Sequence, residues 1–114
     1  MNTRKYSKAQ ESRVAKALNG KRQANSGATK FHKGDVLCSK FCIECKTATT
    51  EKASMSIKKD WIEKLKEESF AMNKPHWAVC FNFGSSSTLQ KSENFYIIDE
   101  QLFKQLQNYI EENN

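Results

Sequence analysis

Residues 76–83, with the sequence HWAVCFNF, form a strongly apolar run. A short run of this kind predicts a strand that is buried on both faces, and therefore a strand inside a sheet. Other elements must cover each face of such a strand. The chain has 114 residues, which is enough for one domain with a single core. We therefore expect one sheet with covering helices.

Three segments have the apolar spacing of amphipathic helices. Residues 6–18 form the first, and Asn19-Gly20 gives it a C-terminal stop. The second is predicted from an N-cap at Ser56 to residue 72, and the third over residues 99–112. Their apolar faces consist of Val14, Ala15 and Leu18, then Ile57, Trp61, Leu65 and Met72, and finally Leu102, Phe103, Leu106 and Ile110.

Strand patterns lie between these helices. Residues 34–38 and 41–46 predict two strands that are joined tightly at Ser39-Lys40 as a hairpin. Residues 94–98 predict a last strand, and the polar residues 21–33 predict a short strand and a loop. The order α-β-β-β-α-β-β-α favours an α/β fold in which helices cover the faces of a mixed sheet.

The positive charge is concentrated in the first part of the chain. Residues 1–50 carry eleven Lys and Arg residues against three acidic ones, a net charge of +8, whereas residues 51–114 have a net charge of −2. One basic half followed by a nearly neutral half indicates a surface that faces a nucleic acid. The candidate DNA-contacting cations are Arg4, Lys5, Lys8, Arg13, Lys21, Arg22, Lys30 and Lys33.

The three carboxylates of this basic half are Glu11, Asp35 and Glu44. Adjacent strands lie about 4.8 Å apart, so Asp35 and Glu44 are expected to converge across the hairpin. Lys46 shares a strand face with Glu44, and Glu11 shares the apolar face of the first helix, where a carboxylate needs a partner. Convergent carboxylates with main-chain oxygen and water suit Mg²⁺ or Mn²⁺.

Two other interpretations compete with a metal site of this kind. An Asp followed by an E-x-K string also fits a solvated, charged strand, but here the string has apolar neighbours, a helical Glu before it and a basic surrounding half. The four cysteines could indicate zinc or disulfides. Cys42 and Cys45 are three residues apart on a strand and so point to opposite faces, which favours small buried thiols instead.

The pair of segments Gly34-Asp35 and Ile43-Glu44-Cys45-Lys46 resembles the paired motif of the PD-(D/E)xK nuclease superfamily. Glu11 and residues 22–27 are similar to the archaeal-type Holliday junction resolvases and their phage relatives. Gly34 departs from that pattern, because the family usually has proline there. The resemblance implies a restriction-endonuclease-like α-β-β-β-α-β core, with a mixed central sheet flanked by helices, in one nuclease domain spanning residues 1–114.

The resemblance also implies roles for individual residues. The implied ligands of Mg²⁺ or Mn²⁺ are Asp35, Glu44, the main-chain carbonyl of Cys45, and Glu11. Lys46 is implied as the catalytic lysine, and Ser26 as a loop residue near the cleaved phosphate. We expect a homodimeric Holliday junction resolvase that hydrolyses phosphodiester bonds of four-way junctions in DNA recombination and repair, because such a junction must be nicked symmetrically.

Other functions stay open at this point. A nicking, repair or restriction-type nuclease of the same superfamily would carry the same motif, and a non-catalytic DNA-binding module would share the basic half. The N-terminal sequence MNTRKYSKAQESR lacks the apolar stretch of a signal peptide, and no run approaches the roughly 18 apolar residues that span a membrane. We therefore expect a cytoplasmic protein without a membrane partner.

Overall fold

The computed structural model describes residues 3–23, 35–84 and 93–113, with side chains from Tyr6 onward in the first range. The order of helices and strands agrees with the sequence prediction. The elements are α1 (Thr3–Leu18), β1 (Lys21–Arg22), β2 (Val36–Leu37), β3 (Phe41–Thr47), α2 (Lys59–Ala71), β4 (His76–Asn82), β5 (Phe95–Ile97) and α3 (Glu100–Glu112). Within these ranges, no helix has the length and apolar content to cross a bilayer.

The five strands form one mixed sheet in the order β1-β2-β3-β4-β5. β3 and β4 are parallel and pair along their whole length, from Phe41 with His76 to Thr47 with Asn82. The other three pairings are antiparallel. A parallel pair needs a long crossover, and α2 supplies it. The predicted α/β architecture with a mixed sheet is confirmed at this level.

The two faces of the sheet are covered by different helices. On one face Val14 of α1 packs with Val36, Ile43, Ala78 and Cys80. On the other face Leu65 of α2 packs with Cys42 and Val79. Because neighbouring residues of β3 and β4 alternate between these clusters, both strands are buried on both sides, as residues 76–83 predicted.

The start of α2 differs from the prediction. The helix begins at Lys59, so Lys58 rather than Ser56 occupies the N-cap position, without a side-chain capping hydrogen bond among the described residues. The segment before the helix is tied to the chain at the end of β4: the main-chain N–H of Lys52 donates to the carbonyl of Phe83 (2.8 Å), and that of Ala48 donates to the carbonyl of Asn82 (3.3 Å). Ser56 lies between this tie and the first turn of α2.

The outer helices carry apolar residues that the fold leaves exposed. Leu18, predicted on the apolar stripe of α1, is 41% exposed. α3 begins as predicted with Asp99, whose carboxylate accepts the N–H of Leu102 (2.9 Å). Within α3 only Leu102 is buried. The exposed apolar residues of this helix, from here on called the α3 face, are Phe103, Leu106, Tyr109 and Ile110.

Candidate functional site

The hairpin of β2 and β3 sets the spacing of the two predicted carboxylates. Val36 pairs with Ile43, and the main-chain N–H of Asp35, the residue before β2, donates to the carbonyl of Ile43 at 3.0 Å. Asp35 therefore lies beside the segment of β3 that carries Glu44. The Cys45 main-chain N–H donates to Oδ2 of Asp35 at 2.8 Å, which fixes that carboxylate against β3. Lys46 follows Glu44 by two residues and lies on the same face.

α1 adds a third carboxylate across a cleft of about 280 Å³. Its charged lining residues within the described chain are Lys8, Glu11, Arg22, Asp35, Glu44 and Lys46. Four residues singled out from the sequence, Glu11, Asp35, Glu44 and Lys46, are thus brought to one place. Cys45 lines the same cleft, which puts its main chain within the site.

Ion pairs join charged side chains of the cleft. Lys46 Nζ lies 3.1 Å from Oε2 of Glu44, and Arg22 Nε lies 3.4 Å from Oε1 of Glu11. The two carboxylate side chains are 15% and 16% exposed, and their cationic partners are 30% and 40% exposed. In each pair the cation is therefore the more exposed partner.

The surroundings of Glu11 in the cleft disfavour its ionised form. Burial raises its pKa, Arg22 lowers it by charge and hydrogen bonding, and the nearby charge of Glu44 raises it again, so the pKa lies above its usual value. A cation bound in the cleft would stabilise the ionised form of Glu11, which burial disfavours.

The residues present fit Mg²⁺ or Mn²⁺ by donor chemistry. Hard divalent cations take carboxylate and main-chain oxygens, and Asp35, Glu44 and Cys45 supply that set at one end of the sheet, with Glu11 facing them. Among the described residues, no three His, Cys, Asp or Glu side chains already stand in a metal-holding cluster. Asp35 and Glu44 are held instead by the Cys45 N–H and the Lys46 ammonium.

Two residues near this site have places that the sequence did not predict. Trp61, predicted to lie in the core, has its ring centroid 4.6 Å from Lys46 Nζ, a cation–π distance. Gln10 was not among the predicted residues, yet it is 1% exposed. It precedes Val14 by four residues and so occupies the centre of the buried helix face, while Glu11 lies toward the cleft. The sequence did contain a sign of this role, because Gln10 is a polar residue at a position where the helical spacing of Val14 predicts a buried side chain.

The remaining predicted contact residues lie in several places. Lys21 is exposed on β1. Arg13 is half-buried, and its charge lowers the pKa of the Cys80 thiol, although the largest cause of that shift is a hydrogen bond from Cys45. Arg4 and Lys5 belong to the first turn of α1. Ser26, Lys30 and Lys33 lie outside the described residues.

The cysteines follow the expectation from strand geometry. All four are free thiols. Cys42 belongs to the cluster on the α2 face, whereas Cys45 packs against the cluster on the α1 face, so the two point to opposite sides. Burial raises the pKa of Cys42 to about 12, which makes that thiol a poor nucleophile and metal ligand at neutral pH.

Comparison with known proteins gives no relative from which a role could be transferred. No protein-family model, no curated protein and no solved structure matches this chain. What the chain does must therefore be inferred from the cleft and from the charge around it.

Proposed function

We propose that this protein is a metal-dependent DNA endonuclease of the PD-(D/E)xK type, with the restriction-endonuclease-like core which that family implies. One observation carries the proposal. Asp35, Glu44 and Lys46 meet at one end of the sheet, and Glu11 faces them from α1 across the same cleft. If Glu44 and Lys46 belonged only to a solvated strand face, there would be no reason for α1 to place Glu11, a largely buried carboxylate, in the same cleft.

Asp35, Glu44 and the Cys45 carbonyl are the proposed ligands of Mg²⁺ or Mn²⁺. When bound, such an ion supplies Lewis-acid polarisation of the scissile phosphate and lowers the pKa of a coordinated water. Glu11 contributes a carboxylate that orients the attacking water or supports a second ion. The Cys45 N–H holds the Asp35 carboxylate against β3 before any cation binds.

Lys46 is the proposed catalytic lysine. Its ammonium lies between the Glu44 carboxylate at 3.1 Å and the Trp61 ring at 4.6 Å. These two contacts hold the positive charge beside the proposed metal ligands, where it stabilises the charge that develops on the phosphate. Lys8 and Arg22 line the rim of the cleft and contact the phosphates on either side of the cut.

The proposed substrate is a four-way DNA junction, and the proposed assembly is a homodimer. Two symmetric nicks need two sites, which a two-fold dimer provides. The α3 face supports this assembly, because several large apolar side chains exposed together mark an interaction surface. The aromatic residues Phe81 and Phe83, a second candidate for such a surface, are engaged within one chain, since both rings contact the ring of Phe95, with centroids 5.6 and 5.9 Å apart.

Cleavage of a synthetic four-way junction, beside linear duplex, flap and single-stranded DNA, tests the proposal. Paired nicks in the junction that need Mg²⁺ support the resolvase. Cleavage of linear duplex or flap alone would support the nuclease proposal but not the junction substrate, and would indicate a nicking, repair or restriction-type enzyme. Binding without cleavage of any substrate in Mg²⁺ or Mn²⁺ would contradict the nuclease and indicate a DNA-binding module.

A further inference from the structure

Gln10 joins helix α1 to the strand that carries the proposed lysine. Its side chain is 1% exposed. The amide Nε2 lies 2.9 Å from the main-chain carbonyl oxygen of Lys46, 3.5 Å from that of Cys80 and 3.4 Å from Oδ1 of Asn94. One amide group on α1 thus contacts β3, β4 and Asn94, which directly precedes β5.

The contacts of Gln10 belong to a larger polar network at this end of the sheet. Asn94 Oδ1 also accepts from Nδ2 of Asn82 at 3.2 Å. Asn82 is fully buried, and its Oδ1 accepts from Thr47 Oγ1 (2.8 Å) and from the Gly84 N–H (2.9 Å). Thr47 directly follows Lys46, so the network binds β3 at two neighbouring points, the carbonyl of Lys46 and the side chain of Thr47.

Stability alone is a poor reason for an amide at this position. Gln10 Oε1 is buried without a hydrogen-bond partner among the described residues, and an unpaired buried acceptor is destabilising. Rotating the amide would place Oε1 against the carbonyl oxygen of Lys46, so the present orientation is the favourable one. An apolar side chain of similar length would fill the space without the unpaired oxygen. What the amide adds is a directional tie to Lys46.

That tie fixes the separation of the two halves of the cleft. Gln10 precedes Glu11 on α1, and its acceptor is the carbonyl of Lys46, two residues beyond Glu44 on β3. Apolar packing around Val14 and Ile43 also joins α1 to β3, and such packing resists separation of the helix and the strand more than it resists sliding. The directional hydrogen bond of Gln10 opposes that sliding.

We propose that Gln10 is a positioning residue for the cleavage reaction: its amide sets the register of α1 against β3, and so holds Glu11 in reach of Glu44 and Lys46. This inference rests on the proposed nuclease function. Gln10 touches neither DNA nor metal in this role. Its replacement should therefore lower the rate of the chemical step and leave DNA affinity unchanged, because the cations at the rim are not moved.

The test compares Gln10→Met with Ser69→Ala. Methionine keeps the length of the side chain and removes the amide. Ser69 is the matched control, since it is also buried and its hydroxyl donates to the main-chain carbonyls of Lys74 (2.7 Å) and His76 (3.0 Å) at the opposite end of β4. We would measure single-turnover cleavage at saturating junction DNA, KM and Tm for wild type and both variants.

Gln10→Met should lose about ten- to a hundredfold in kcat at unchanged KM, the size expected for a misplacement of about 1 Å. Ser69→Ala should keep the wild-type kcat even where its Tm falls as far. Equal kcat values for Gln10→Met and wild type, or equal decreases in both variants, would overturn the positioning role. If Gln10→Met does not fold, Gln10→Leu, which also removes the amide donor to Lys46, decides by the same criteria. A wild-type protein that cleaves nothing would instead defeat the nuclease proposal, and this inference with it.

Discussion

Replacing Lys46 with alanine separates chemistry from binding in this cleft. The Lys46→Ala change removes an ammonium that lies 3.1 Å from Glu44 and 4.6 Å from the Trp61 ring centroid. The Glu44 side chain is only 15% exposed, so its carboxylate loses the Lys46 ammonium in a position that is largely shielded from water. Exposed pairs contribute under about 1 kcal/mol, and breaking a fully buried pair costs about 3–5 kcal/mol. This half-buried pair should cost about 1–3 kcal/mol, an intermediate value.

Thermal unfolding and cleavage should respond differently to that change. A chain of this size should fall by about 4–8 °C in Tm for each kcal/mol, and Mg²⁺ should restore part of this decrease by neutralising Glu44. Single-turnover cleavage should fall about a hundredfold or more, while DNA affinity falls only modestly, because the other cations of the basic half still bind phosphates. A Lys46→Ala protein that cleaves at the wild-type rate but binds poorly would show that the lysine serves only to attract DNA by its charge.

Three other parts of the molecule can be tested in the same way. Burial raises the pKa of Glu11 above 4.5, so the folded protein keeps the Glu11 proton to a higher pH than the unfolded chain does. The contribution of Glu11 to stability should therefore fall as the pH rises from the unfolded to the folded pKa. Thermal melts of Glu11→Gln at several pH values should lack this contribution. Removing Lys8, Lys21 and Arg22 together should flatten the dependence of log binding constant on log salt concentration by about 0.9 for each phosphate that is no longer neutralised, measured on duplex DNA; an unchanged slope would exclude them from the interface. The double change Phe103→Lys and Ile110→Lys should give a folded monomer in light scattering, because these side chains are 62% and 61% exposed and do not form the core. A wild-type monomer at micromolar concentration, or a dimer that survives both changes, would show that the α3 face is not the dimer interface.

The parts of the fold that depend on local pattern could be predicted from the sequence. Residues 76–83 indicated a strand buried on both faces, and the short connection at Ser39-Lys40 indicated the hairpin that brings Asp35 beside the segment of β3 that carries Glu44. Both follow from alternation and from turn length, which are properties of neighbouring residues. The predicted meeting of these carboxylates needed no knowledge of the rest of the chain.

The parts that depend on distant partners could not be predicted. Ser56 has the chemistry of an N-cap, but α2 begins at Lys59, and the segment before it is hydrogen-bonded at Ala48 and Lys52 to the chain at the end of β4. An amphipathic pattern predicts an apolar face without indicating what covers it, and within α3 the chain itself buries only Leu102. The role of Gln10 was hidden for a similar reason, because its acceptors lie 36 and more residues away.

The most direct measurement of the central claim is Mg²⁺-dependent cleavage of a four-way junction by wild type and by Asp35→Asn. Asparagine can still accept the Cys45 N–H that now binds Oδ2 at 2.8 Å, so the fold should persist while one charged metal ligand is removed. Wild type should cleave in Mg²⁺ and not in EDTA, and Asp35→Asn should bind the junction equally or more tightly and leave it intact. Cleavage by Asp35→Asn at a rate near that of wild type would contradict the assignment of this cleft as the active site.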